Sequence, residues 1–223
     1  FWDDFVPENN LFYQLLCEHY DVELSDDPEY LFCSVFGEKH LTYDCVKIFY
    51  TGENQSADFN LYDYAIGFDR MAFGDRYFRL PIYYLNRYQK DFRLMQEKHE
   101  RSVPEKSSFC SFVYSNDRAS EVRERFFNQL SAYKPVSSGG RYRNNIGGPV
   151  ADKLAFEQSH KFSFSFENSS YPGYCTEKLI QSFAAQTIPI YWGDPEVAET
   201  FNEESFINCN HYTSWEEVLE RIK

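Results

Sequence analysis

Two groups of side chains in this chain have the types and spacing needed for group-transfer chemistry. The first surrounds Thr176-Glu177-Lys178, which opens an amphipathic helix. A strand pattern (Phe162, Phe164, Phe166) running into Glu167-Asn168 precedes it, and a short strand, Ile188-Pro-Ile-Tyr-Trp192, ending in Gly193-Asp194-Pro195 follows it. Strand, polar loop, helix start and strand make the frame that turns helix N-terminal amides toward an anion. Its polar residues crowd at the carboxyl end of a strand, where open α/β sheets bind ligands. A lysine in a first helical turn opposes the helix dipole, and Lys178 makes sense there if a diphosphate lies between them. Arg123 adds a fork able to hold two phosphate oxygens, and Arg141 and Arg143 extend the candidate basic cluster. The pattern reads as a nucleotide-phosphate site. The second group is Glu53, just past a Thr-Gly turn that follows the strand pattern Val46–Tyr50. A carboxylate projecting from the carboxyl edge of a strand is a candidate general base.

These stretches resemble the signature of the α-1,3-fucosyltransferases, glycosyltransferase family 10, which reads roughly F-x-F-E-N-S, Y-x-T-E-K-L and I-P-I-Y-W-G. The resemblance continues through Phe49-Tyr-Thr-Gly-Glu-Asn54, Tyr62-Asp-Tyr-Ala-Ile-Gly-Phe68, Asp75-Arg76-Tyr77, Phe112-Val-Tyr-Ser-Asn116 with Arg123, and Ser138-Gly-Gly-Arg141. Nearly the whole chain is covered, and the bacterial, Lewis-antigen-making branch is the nearest match. The resemblance implies an α/β fold of two Rossmann-like lobes, GT-B type, with the active site in the inter-lobe cleft. Pattern reading alone also allows a single doubly wound sheet.

The implied activity is inverting transfer of L-fucose from GDP-fucose to the 3-hydroxyl of N-acetylglucosamine in lactosamine-type glycans, with lactose a poorer acceptor. The resemblance places Asn168, Tyr174 and Glu177 with Arg123 and Lys178 in the donor pocket, Glu177 on ribose or sugar hydroxyls, and Glu53 as base on the opposite lobe. Aromatic residues of the N-terminal lobe, Trp2 and Tyr50 with Phe5, are the candidates for stacking on a neutral acceptor. Two alternatives remain at this stage: a GT-B transferase using another GDP-sugar, and a glycan- or nucleotide-binding module that has lost catalysis.

Leaving-group charge on a diphosphate is stabilised by a divalent metal or by cations and helix amides. The chain has Asp3-Asp4 and Asp26-Asp27 but no Asp-x-Asp, the pair that metal-dependent sugar transferases carry. No obligatory metal and no cofactor are expected beyond GDP-fucose as donor substrate. Six cysteines lie far apart without a C-x-x-C pair, so reduced thiols are expected. The sequons at Asn54 and Asn168 fall inside motifs and are read as chance.

At 223 residues and 43% hydrophobic composition the chain can bury a sizeable core. A formal charge of −13 argues against nucleic acid and anionic membrane as partners, and leaves any phosphate site to a local basic cluster. No apolar run reaches the roughly 20 residues of a membrane span, and Phe-Trp-Asp-Asp-Phe is no signal peptide. A cytoplasmic enzyme, at most peripheral to the inner membrane, is expected. Both ends of the chain read as falling inside elements.

The elements that must position these groups are legible as short strands alternating with helices, the pattern of a parallel α/β fold. Helical spacing is found over Glu8–Tyr20, Ala119–Tyr133 and Asp152–His160. Strand patterns lie at Tyr30–Phe36, Val46–Tyr50, Tyr64–Phe68 and Phe109–Ser115. Residues 84–108 are polar and show no clean strand. The expected division is an acceptor lobe at 1–90, a connection at 91–108 and a nucleotide-sugar lobe at 109–223. Ser137–Gly148, with four glycines, reads as a flexible loop beside the site.

Overall fold

The computed structural model describes residues 5–97 and 102–223, and the acceptor candidate Trp2 lies outside them. The chain forms two compact units, Phe1–Asn86 and Arg87–Lys223. Among the described residues no helix is long and apolar enough to cross a membrane. All six cysteines are free.

The N-terminal unit holds a parallel sheet in the order β1 (Tyr30–Cys33), β2 (Val46–Tyr50), β3 (Tyr64–Gly67), β4 (Tyr77–Arg79). Alternation along the strands sends Cys33, Phe49 and Ala65 to one face, where they form a core with Tyr62. Helix α1 (Leu11–Cys17) is capped by the Asn10 side chain, which accepts from the Phe12 amide. Its Phe12 stacks on Phe32 at 5.3 Å and meets Tyr50 edge-on at 4.8 Å.

The C-terminal unit is a five-stranded parallel sheet in the order β6 (Val136–Ser138), β5 (Ser108–Phe112), β7 (His160–Phe166), β8 (Ile188–Trp192), β9 (Ile207–Asn208). Its helices are α2 (Gln89–Gln96), α3 (Glu121–Tyr133), α4 (Lys153–Gln158), α5 (Glu177–Ala184) and α6 (Trp215–Ile222). Strand order reverses between β5 and β7, so their carboxyl ends flank the switch point at which doubly wound sheets bind ligands.

From Ser163 onward strand β7 is buried on both faces, and its alternation separates two kinds of packing. Phe164 and Phe166 meet Phe126 of α3 at 5.5 Å, and Phe166 also meets Trp215 of α6. Ser163, Ser165 and Glu167, none of them exposed, point the other way. Ser163 donates to Glu157 of α4, and Ser165 shares a 2.7 Å hydrogen bond with Ser182 of α5. The two serines bring α4 and α5 close to the strand, and Glu167 ends the same row.

Part of the stretch read as a connection is regular: α2 begins at Gln89, and its Asp91 accepts from Gln181 of α5 at 3.0 Å. The segment 137–148 is well tethered, contrary to its reading as a flexible loop. Asn145 accepts from the Ser138 amide and donates to Val136 O, Asn144 donates to Gly140 O and accepts from the Gly148 amide, and Tyr142 N donates to Tyr114 O. The asparagine side chains supply the partners that the glycines lack.

Candidate active site

The switch point is built around Tyr114, just beyond the end of β5. Strand β7 outlasts β5, so backbone groups of Phe164 and Phe166 on that side lose their ladder partner. The Tyr114 hydroxyl takes its place, accepting from Phe166 N at 2.8 Å and lying 3.1 Å from both Phe164 O and Phe166 O as donor. Burial pushes this phenol well above the ordinary tyrosine range.

The Tyr114 ring carries the Arg123 guanidinium 4.1 Å above its centroid. Arg123, in the first turn of α3, donates to Asn116 O at 3.2 Å and to Asn168 Oδ1 at 2.6 Å. It is only 2% exposed, and its Nε is buried without a partner. Ser120 caps α3 by accepting from Val122 N, and its own amide donates to Asn168 O, which ties the helix start to the end of β7. Arg123 therefore reaches the site edge through Asn168, and its ion-pairing fork is already engaged by protein groups.

One residue earlier, Glu167 accepts three hydrogen bonds: Thr176 N on Oε1 at 2.8 Å, and on Oε2 Thr176 Oγ1 at 2.7 Å and Lys178 Nζ at 3.0 Å. Thr176 sits at the N-cap of α5 but makes no side-chain cap bond to the first-turn amides. Its hydroxyl donates to Glu167 and accepts from Lys178 at 2.8 Å instead. The Lys178 side chain is 14% exposed and has Glu177 Oε1 at 3.7 Å as a second acidic neighbour. Burial works against its ammonium, but Glu167, Glu177 and Tyr114 outweigh that and hold it above the ordinary lysine range. For Glu177, burial is likewise overcome, by Lys178 and then Lys153, and the carboxyl lies below the ordinary range. Tyr88, from the segment leading into α2, is pushed up to about 12, first by burial and then by Glu177.

Arg123, Asn168, Glu177 and Lys178 thus converge at the switch point. Tyr174, on the loop between β7 and α5, is 2% exposed and presents almost no surface to a ligand. That loop is held by Asp194, which accepts from Gly173 N at 2.8 Å, and by Ser170, which donates to Gly193 O. Arg143 is drawn away onto Glu124 at 2.7 Å and over the Phe127 ring, while Arg141 is exposed.

In the N-terminal unit, Glu53 is exposed at the carboxyl end of β2. Its amide donates to Thr51 Oγ1 at 3.0 Å, and Ser56 in the same loop donates to the buried Asp69 at 2.9 Å. Tyr50 is half-buried against Phe12.

Sequence reasoning placed Glu167, Thr176 and Tyr114 within motifs but gave none of them a role in the site. The available signal for Glu167 was its place in the row Ser163, Ser165, Glu167, a polar face on a strand whose surroundings are apolar. Tyr114 lies in the motif Phe112-Val-Tyr-Ser-Asn116, but nothing in local sequence marks its hydroxyl as a partner of β7.

Two units, each with an all-parallel sheet, and a polar cluster at a strand-order reversal are the architecture of the GT-B type. The description "Alpha-(1,3)-fucosyltransferase FucT N-terminal domain" matches residues 1–86, and "Glycosyltransferase family 10 (fucosyltransferase) C-term" matches residues 103–223. The chain belongs to glycosyltransferase family 10. It is 37% identical over 254 residues to the α-(1,3)-fucosyltransferase FucT of Helicobacter pylori, covering 97% of this chain and 53% of that protein. The chain therefore spans about half the length of that relative. Human 4-galactosyl-N-acetylglucosaminide 3-alpha-L-fucosyltransferase 9 is 32% identical over 125 residues, 54% of this chain and 34% of that one. A crystal structure of an α1,3-fucosyltransferase with GDP-fucose superposes with a TM-score of 0.81 at 33% identity, covering 96% of this chain and 72% of that one. The complex of an α1,3-fucosyltransferase with GDP gives 0.81 at 35%, with the same coverage.

Proposed function

We propose that this chain transfers L-fucose from GDP-fucose, with inversion, to the 3-hydroxyl of N-acetylglucosamine in lactosamine-type glycans. The observation that carries the reading is the convergence of Lys178, Arg123, Asn168 and Glu177 at the carboxyl ends of β5 and β7. Departure of GDP leaves negative charge on the β-phosphate, and fixed cations in a dry site stabilise such charge without reorganising. Lys178 supplies that cation at the site surface. Arg123 adds its charge from beneath and orients Asn168, whose Nδ2 hydrogens have no partner among the described residues. Glu177 takes ribose or fucose hydroxyls, and Tyr174 shapes the loop over them. Glu53, from the N-terminal acceptor lobe, removes the acceptor proton, and Tyr50 with Trp2 offers aromatic surface to the sugar. The relatives named for α1,3-fucosyl transfer, and one structure's GDP-fucose, support this choice of donor and linkage.

The test is transfer from GDP-fucose to N-acetyllactosamine and lactose, with and without EDTA. The expected result is an α-1,3-fucosylated product, better from N-acetyllactosamine, with activity retained in chelator and not raised by added metal. Turnover of another GDP-sugar in preference to GDP-fucose would replace the donor. Exclusive modification of protein or chitobiose would replace the acceptor. GDP binding without any transfer would leave a binding module.

A further inference from the structure

We infer that Glu167 is a positioning residue for donor transfer, acting through Lys178. This rests on the donor-site reading above and adds to it a residue that touches no ligand. Glu167 is completely buried, and its side chain lies where three separate stretches of the chain meet. It grows from the end of β7. It holds the start of α5 by accepting both the amide and the hydroxyl of Thr176. It also receives Lys178 at 3.0 Å.

The third stretch is the turn after β8. Gly193 lies directly against the Glu167 side chain, where an added Cβ would come 2.4 Å from its Cγ and 2.9 Å from its Cβ. Glycine is therefore required there by the room that Glu167 and the Tyr191 hydroxyl occupy. The Glu167 amide, donating to Trp192 O at 2.8 Å, fixes the backbone on the same side. The carboxylate is thus held by the start of α5, and its stem by the turn after β8.

A lysine is a point charge on a flexible stem and is poorly oriented by itself. Here two of its three N–H groups are directed by Glu167 and by Thr176 Oγ1, itself anchored on Glu167. Without Glu167, the ammonium would be free to turn to Glu177, now 3.7 Å away. The site would keep its cation and lose its aim, and Glu177 would be drawn from the donor hydroxyls. Bonds to charged groups are individually strong, so the effect should be large and should depend on Lys178 being present.

The experiment is a double-mutant cycle on the full chain: native, Glu167→Gln, Lys178→Ala and the double variant, read as kcat/KM for GDP-fucose and KM for acceptor. Gln keeps an acceptor for the Thr176 amide, and thermal unfolding with GDP checks that each variant is folded. Glu167→Gln should lower donor kcat/KM by about 10- to 100-fold in the native background, but by less than about threefold when Lys178 is Ala. Acceptor KM should stay near native. Equal losses in both backgrounds, or no loss in either, would overturn the inference while leaving Lys178 as donor-site cation. Native kcat/KM for Lys178→Ala alone would remove the donor-site reading and this inference with it. Where Glu167→Gln does not fold, Glu167→Asp carries the same cycle, with the charge kept and the reach shortened. Failure of both to fold makes Glu167 a folding residue only and overturns the proposal.

Discussion

Tyr114→Phe separates two functions that one side chain combines in this structure. The substitution removes a single oxygen and keeps the ring. In the native chain that oxygen accepts from Phe166 N at 2.8 Å and sits 3.1 Å from two carbonyl oxygens of β7. Phe166 is completely buried, and β5 ends at Phe112, so neither water nor a strand can replace the hydroxyl. A buried amide left without an acceptor costs about 1–3 kcal/mol, and the carbonyls add little because each tolerates a lost partner better. Overpacking does not arise, since the change only deletes an atom. Taking about 2 kcal/mol, and roughly 2–4 °C per kcal/mol for a protein of this size, the melting temperature should fall by roughly 4–8 °C. The Arg123 guanidinium, 4.1 Å above the ring centroid, keeps its aromatic platform. Donor kcat/KM well below the new melting temperature should therefore change by less than about threefold, whereas Tyr114→Ala, which removes the platform, should lose about tenfold or more. Differential scanning calorimetry with steady-state kinetics on both variants decides the matter. A melting temperature within 1 °C of native for Tyr114→Phe would refute the account of Tyr114 as substitute strand partner.

Glu53→Gln keeps size and hydrogen bonding while removing basicity, so transfer should fall by roughly 10²–10⁴-fold with GDP affinity unchanged by titration calorimetry. Near-native transfer would eliminate Glu53 as base. Glu157 offers a test of pH dependence. Burial pushes its carboxyl up, against the opposing pull of Lys153 and Ser163, and its Oε2 is buried without a partner. A carboxyl raised on folding contributes stability that is fully present below the ordinary carboxylate range and is lost as pH rises through the folded value. Glu157→Gln abolishes that loss, so its melting temperature relative to native should climb as pH rises above the ordinary carboxylate range. A difference that is flat or falls with pH would show that Glu157 is not a buried acid of this kind.

The identity of the elements was largely written in local sequence. The strand-like run at Val46–Tyr50, the period-two run at Phe162–Phe166 and the helical spacing up to Tyr133 are short-range consequences of which faces must be apolar, and they reappear as β2, β7 and α3. The strands β4, β6 and β9 escaped notice because two or three residues are too few for a period to show. Helix α2 was missed because its residues are mostly polar, and its place is set by the neighbouring α5.

The site divides in the same way. Arg123, Asn168, Glu177 and Lys178 were legible as donor-site candidates through the motif resemblance, and the structure brings them to one end of the sheet. Their working relations do not follow from the motifs. Arg123 reads as an outward fork, yet Tyr114, Asn116 and Asn168 enclose it. Glu167 reads as the end of a strand, yet Thr176 and Lys178 meet its carboxylate and Gly193 packs against its stem. Local patterns act over a few residues, whereas a buried charge is decided by whatever the parallel crossovers bring to it. Only the packing of α5 and the β8 turn against the end of β7 brings these residues together.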